Sequence, residues 1–311
     1  MTISMTTATK GAAALVISAL ALTACTNASA TNTGAKPGST SSAAAFDPTT
    51  IAKDDAMASK VPDAIKSRGT LIIGTNTTYA PGEFLGGPDN RTPMGYDIDF
   101  AKAIGATLGL NVEFQSAEFP SIIPSLGPKF DLGLASFTIN KKRLEAVNMV
   151  SYLSAGTSWA VQKGNPKKFS LEDVCGKSIG VQTGTVQEEP DIKDRNTKCL
   201  AAGKKPIDIV SLKTQTDVTT RLVNGSIDAM VADSPVIGYA IQQTGTLEKT
   251  GDVYNGAPQG IAVVKSDTAF AELIQKVLAK LMSDGSYKKI LESWNVTDGA
   301  LTTTELNPAV P

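Results

Sequence analysis

The 311-residue sequence predicts an α/β fold built on parallel strands. Short apolar runs alternate with amphipathic stretches of helical period from Thr70 onward, the pattern of a βα succession. Several of the turns between them carry serine, threonine, asparagine or glycine, residues that open or close helices. The stretch from Val61 to Val296, about 240 residues, is enough for two modest lobes or one large domain.

Taken in order, Thr70–Thr75 reads as a strand and the Gly/Pro-rich stretch Tyr79–Pro93 as a loop. Asp97 is placed to cap a helix whose Ile98, Ala101, Ile104 and Leu108 share one face, and Gly109 is placed to end it. Asn111–Phe114 alternates as a strand, Phe119, Ile122, Ile123 and Leu126 recur at helical spacing, and Phe130–Ala135 is the next strand. Ser158–Val161 is again extended. A second series comprises the strand Ser178–Val181, the turn Gln182-Thr183-Gly184-Thr185 expected to open a helix, the strand Ile207–Leu212, a helix through Arg221–Val223 and the strand Ile227–Ala232. Ser234-Pro235 supplies a cap and a first helical residue. After the strand Gly260–Val264, a helix carries Phe270, Leu273, Ile274, Val277, Leu278 and Leu281 on one face, and Tyr287–Trp294 continues its packing. Residues 297–311 read as a loose tail. The two βα series fit one sheet or two lobes, and the pattern alone does not choose.

Lys10 and an apolar run of about ten residues, Ala12–Leu22, lead into Leu22-Thr23-Ala24-Cys25. The run is too short to cross a bilayer and reads as an export signal over residues 1–24. Its end resembles a bacterial lipobox, which makes Cys25 the expected lipid-bearing first residue of the mature chain. An ordinary secretory signal with an incidental cysteine is the other reading, and both place the mature chain outside the cytoplasm. Residues 25–60 are mostly Ser, Thr, Ala, Asn and Gly and read as a flexible tether.

With Cys25 assigned to lipid, Cys175 and Cys199 remain as a pair. In an oxidising compartment they form a disulfide closing a loop of about 25 residues, contributing roughly 3 kcal/mol; two free buried thiols are the alternative. The chain contains no histidine, which excludes Ser-His-Asp hydrolysis, Cys-His chemistry and most zinc sites, though carboxylate or lysine chemistry survives. No catalytic residue, metal or cofactor is expected. With 29 basic and 30 acidic residues there is no electrostatic case for nucleic acid.

In open parallel sheets ligands bind beyond the carboxyl ends of strands, so charge converging there is informative. Ser136 and Thr138 follow one strand end, with Asn140 as a cap and Arg143 in the first helical turn, a carboxylate cradle. On spacing alone Arg143 reads as a solvated helix residue like Lys141 and Lys142. Thr183-Gly184-Thr185-Val186 offers backbone N–H groups at a helix start, by itself a weak signal. Asp233 ends another strand, placed to receive an ammonium group or simply to cap the next helix. Together the three positions describe a cavity for both ends of a zwitterion.

Ile73-Gly74-Thr75-Asn76-Thr77-Thr78-Tyr79-Ala80-Pro81, Gly95-Tyr96-Asp97-Ile98-Asp99-Phe100-Ala101, Ala135–Ile139 with Arg143, Gly180–Thr185, and Ile227-Asp228-Ala229 with Asp233 occur in that order. On these segments the chain, across nearly all of Val61–Val296, resembles the polar-amino-acid class of bacterial extracellular solute-binding proteins, the receptors of ABC importers. The resemblance implies a two-lobed type II periplasmic-binding-protein fold with a discontinuous first lobe and a two-strand hinge. Lobe 1 is then 61–154 plus 256–296, and lobe 2 is 155–255, containing the disulfide.

The resemblance also implies that Arg143 binds a ligand α-carboxylate with backbone N–H groups at Thr138, Thr185 and Val186. Asp233 then accepts the α-ammonium with the Ser136 carbonyl and the Thr138 hydroxyl, Tyr79 stacks on the side chain, and Asn76 and Phe119 shape its pocket. Many relatives carry an aromatic residue directly after Tyr-x-Pro, whereas here Gly82-Glu83 intervenes before Phe84. Asn76 in place of an acid weakens a preference for basic side chains, and no cation stands ready for an acidic one, so a neutral polar or basic amino acid is expected. The partners implied are the free amino acid, permease subunits and the membrane through the lipid, with the protein acting as a monomer outside the cytoplasm. A sensing lipoprotein is one alternative, and a dehydratase-like enzyme using Glu83 or Glu118 is another.

Overall fold

The computed structural model describes residues 46–310. The expected signal, Cys25 and the first part of the expected tether lie outside the described residues. Helices Asp55–Ala58 (α1) and Asp63–Arg68 (α2) precede strand Thr70–Thr75 (β1). Thr78–Tyr79 (β2), Glu83–Gly86 (β3) and Thr92–Met94 (β4) form a small antiparallel sheet where a loop was expected. Tyr96–Leu108 (α3), Asn111–Ser116 (β5), Phe119–Ile122 (α4), Leu132–Gly133 (β6) and Lys141–Ala146 (α5) follow. Next come Val147–Gln162 (β7), Ser178–Gln182 (β8), Lys193–Ala201 (α6), Asp208–Leu212 (β9), Gln215–Val223 (α7) and Ala229–Asp233 (β10). Ser234–Thr244 (α8), Leu247–Val264 (β11), Thr268–Ser283 (α9) and Ser286–Ser293 (α10) complete the order.

One eight-stranded sheet runs β5-β1-β6-β11-β7-β10-β8-β9. The strands β5, β1 and β6 are parallel, as are β10, β8 and β9. Between these halves lie only β7 and β11, 16 and 18 residues long, antiparallel to each other. Their pairing shifts register three times between Thr250 and Gly260, where they pass from one half to the other. Both sequence alternatives are thus realised: one hydrogen-bonded sheet, two parallel halves.

Each half has its own core. In the first, α9 presents Phe270, Leu273, Ile274, Val277, Leu278 and Leu281 to β1, α3 and the ends of β7 and β11, all at 3% exposure or less. Each such side chain contributes about 1.5–3 kcal/mol by leaving water. In the second, Trp159, Ile179, Val181, Ile192 and Val231 pack together beside a cluster around Val218, Leu222 and Ile237.

Four expectations need correction. Residues 46–60 are not tether: Phe46, Ile51 and Met57 lodge against the first core, and Asp54 donates its N–H to the Thr107 carbonyl. Three apolar anchors suffice to dock so short a segment. Residues 297–310 are not loose either. The edge of β7 that β10 leaves uncovered receives the chain end: Val150 bridges Leu306, Asn307 exchanges hydrogen bonds with Met149, and Thr304 Oγ1 donates to the Ser151 carbonyl. Asp97 does not cap α3; Gly95 does, at φ 128°. A Cβ there would stand 2.0 Å from the Gly82 carbonyl oxygen, so only glycine lets β3 and α3 meet. Finally, the turn after β8 opens no regular helix, because Gln187–Ile192 contains Pro190 and an extended Glu189.

Cys175 and Cys199 are disulfide-bonded, 24 positions apart with Cα atoms 5.6 Å from each other, within the second half. Replacing both by serine is expected to lower stability by roughly 3 kcal/mol, read as a fall in the thermal midpoint.

Candidate functional site

A narrow cavity lies between the two halves. Eight of the nine expected residues line it: Tyr79, Phe119, Ser136, Thr138, Arg143, Thr185, Val186 and Asp233. Strand ends deliver most of them, β6 leading into Ser136, β8 into Thr185 and β10 ending at Asp233.

Asn140 caps α5 by accepting the Arg143 N–H at 2.9 Å, which fixes where the arginine begins. The guanidinium packs over Phe119 and Phe137, its carbon 5.2 and 5.4 Å from the ring centres. It donates to the Thr138 carbonyl at 2.7 Å and, across the cleft, to the Gly184 carbonyl at 3.3 Å. Burial pulls its pKa down to about 10, so it stays charged.

Asp233 begins α8 but its side chain does not cap it. Oδ1 instead accepts from Gln187 at 2.8 Å and Oδ2 from Gln259 at 2.9 Å, and the Tyr79 hydroxyl accepts the Asp233 N–H at 3.2 Å. The carboxyl is 4% exposed, and burial raises its pKa to about 6 against those donors and Arg143. Arg143 and Asp233 share the cavity from opposite halves yet form no ion pair. A group carrying both a carboxylate and an ammonium is the complement of such an arrangement.

Asn76 is the residue that the cavity wall excludes. Its Oδ1 accepts from Thr78 and Gln182, and its Nδ2 donates to the Ala117 carbonyl, so it steers Gln182 from behind. The sequence reading missed Ala135, Gln182 and Gln187, which line the cavity, and Gln259, which holds Asp233. Gln182 and Gln259 were detectable as polar residues at the ends of apolar strand runs; Gln187 was hidden by the irregular segment after β8. Neither acid considered for catalysis is in the wall: Glu83 is buried behind Ser136, and Glu118 pairs with Lys213 at 2.6 Å. Among the described residues no helix is long and apolar enough to cross a membrane.

Two parallel-sheet halves, a pair of long linking strands and a charged cavity between them define a type II periplasmic binding protein. The sequence matches the bacterial extracellular solute-binding proteins, family 3, over residues 71–297, and the chain belongs to that family. It is 33% identical over 250 residues to the arginine-binding protein ArgT of Corynebacterium glutamicum, covering 79% of this chain and 81% of that one. An ancestral arginine-binding protein bound to arginine superposes with a TM-score of 0.66 at 36% identity, over 73% of this chain and 98% of its own. The ancestral amino-acid-binding precursor of cyclohexadienyl dehydratase also gives 0.66, at 32% identity over 75% of this chain and 98% of its own.

Proposed function

We propose that this protein is the lipid-anchored receptor of an ABC importer, capturing one amino acid between its lobes and handing it to a permease. The observation that carries the reading is the placement of Arg143 and Asp233, from opposite halves, in one cavity without an ion pair between them. Arg143 takes the α-carboxylate with N–H groups at Thr138, Thr185 and Val186; Asp233 takes the α-ammonium with the Ser136 carbonyl and the Thr138 hydroxyl. Lobe 1 comprises 61–154 and 256–296, joined by the docked segments 46–60 and 297–310, and lobe 2 comprises 155–255. Both boundaries fall inside β7 and β11, which serve as the hinge. Cys25 carries the lipid.

Apart from Arg143 and Asp233, the polar wall groups are neutral: Tyr79, Ser136, Thr138, Gln182, Thr185 and Gln187. They hydrogen-bond a neutral polar or cationic side chain and supply no cation for an acidic one. L-Arginine is the first candidate, since similar proteins are named for binding it. The kinship with a dehydratase precursor does not favour an enzyme, because Glu83 and Glu118 stand outside the cavity wall. A thermal-shift screen against the twenty amino acids tests the reading. A ligand at a hundred times its dissociation constant adds about 2.7 kcal/mol, a rise of several degrees. One or a few polar amino acids should produce it, and a flat panel would refute the assignment.

A further inference from the structure

Glu83 is a buried carboxyl that the proposed ligand contacts do not use. It sits on β3 at 0% exposure, its Oε1 without a hydrogen-bond partner, its Oε2 accepting from Ser136 Oγ at 3.1 Å. Asp97, also at 0% exposure, lies against the same hydroxyl, its Oδ2 3.3 Å from Ser136 Oγ. Two buried carboxyl groups gathered on one hydroxyl do not both ionise. Burial and the neighbouring Asp97 raise Glu83 well above the usual carboxylate range, so Glu83 is the one that keeps its proton. Burial raises Asp97 to about 6, against the Tyr152 hydroxyl at 2.6 Å and the Ser136 N–H at 2.7 Å that it accepts, so it remains the ionised member at neutral pH.

All of this converges on one residue. Ser136 stands at the cavity wall with φ at 49°, a left-handed conformation that serine rarely adopts. Its N–H is held by Asp97, and its Oγ by Glu83, Tyr96 at 3.0 Å and Asp97 at 3.3 Å. That conformation decides where the Ser136 carbonyl points. Gly82 is part of the device, because a Cβ there would stand 2.6 Å from Ser136 Oγ.

We propose that Glu83, acting with Asp97, is a positioning residue that sets the Ser136 carbonyl against the ligand ammonium and thereby selects amino acids over their deaminated analogues. This rests on the ligand reading above. The test compares L-arginine with its α-hydroxy-acid analogue by calorimetry, in the full protein and its variants. Glu83→Gln, neutral and able to donate, should keep the wild-type affinities. Glu83→Met, similar in volume without a donor, should weaken L-arginine about ten- to a hundredfold while leaving the hydroxy acid unchanged. Should Glu83→Met not fold, Ser136→Ala cuts the same link from the other side and should give the same selective loss. A Glu83→Gln protein as impaired as Glu83→Met, an unaffected Glu83→Met, or equal loss for both ligands would each overturn the proposal while leaving the amino-acid reading intact. Wild-type protein that binds neither ligand and responds to no amino acid in the thermal-shift panel would overturn both.

Discussion

Arg143→Ala is expected to weaken ligand binding by about 2 to 5 kcal/mol, a loss of thirtyfold or more. The estimate follows from what is left behind. A carboxylate brought into this cavity loses its water, and the guanidinium is the one cation in the wall able to replace it in bidentate fashion. Arg143 also joins the halves through the Gly184 carbonyl, so its removal weakens the closed form as well as the ligand contact. Lysine should rescue little, because the Phe119 and Phe137 rings and the Thr138 carbonyl fit a planar, forked donor. Calorimetric titration reads the effect directly, and an unchanged affinity would remove Arg143 from the site.

Asp233→Ala should cost a similar amount, and Asp233 adds a pH signature. With its pKa raised to about 6, it is ionised at neutral pH and takes up a proton as the medium acidifies. An ammonium ligand needs the carboxylate, so affinity should fall by about tenfold per unit below pH 6. In the ligand-free protein the sign is reversed. A carboxyl whose folded pKa lies above its ordinary value of 3.8 opposes folding as it ionises, so its contribution to stability declines as pH rises from 3.8 to about 6. Titrations from pH 8 to 4.5 check the first slope. A flat profile would mean that Asp233 does not meet the ammonium.

Much of this arrangement was legible because strand ends have a local signature. Ser136, Asp233 and the turn at Gly184 each follow an apolar run, and Arg143 follows a capping asparagine. Helix α9 was legible for the same reason, its apolar stripe being complete. The long strands were not. Only Gly260–Val264 of β11 reads as a strand, because Glu248–Tyr254 is polar and half exposed and owes its extended form to β7 alongside. The small sheet β2-β3-β4 was equally hidden, since the contact between Gly82 and Gly95 that organises it is tertiary. Asp97 was misread for a related reason: acids at helix starts usually cap, and only the third dimension places Tyr152 and Ser136 over this one.

The docked chain end has a consequence for the order in which this molecule can be assembled. The half-sheet of β5, β1 and β6 takes its cover from α9 and α10, and its open β7 edge is closed by residues 304–307. A chain emerging N-terminus first therefore displays β1 and α3 long before the residues that finish their core arrive. The other half is contiguous from β8 to α8 and holds its own disulfide, so it can become native while the first waits. The half that begins the chain is thus the last to be complete, and the exposure it must survive in between is set by the time needed to deliver residue 307.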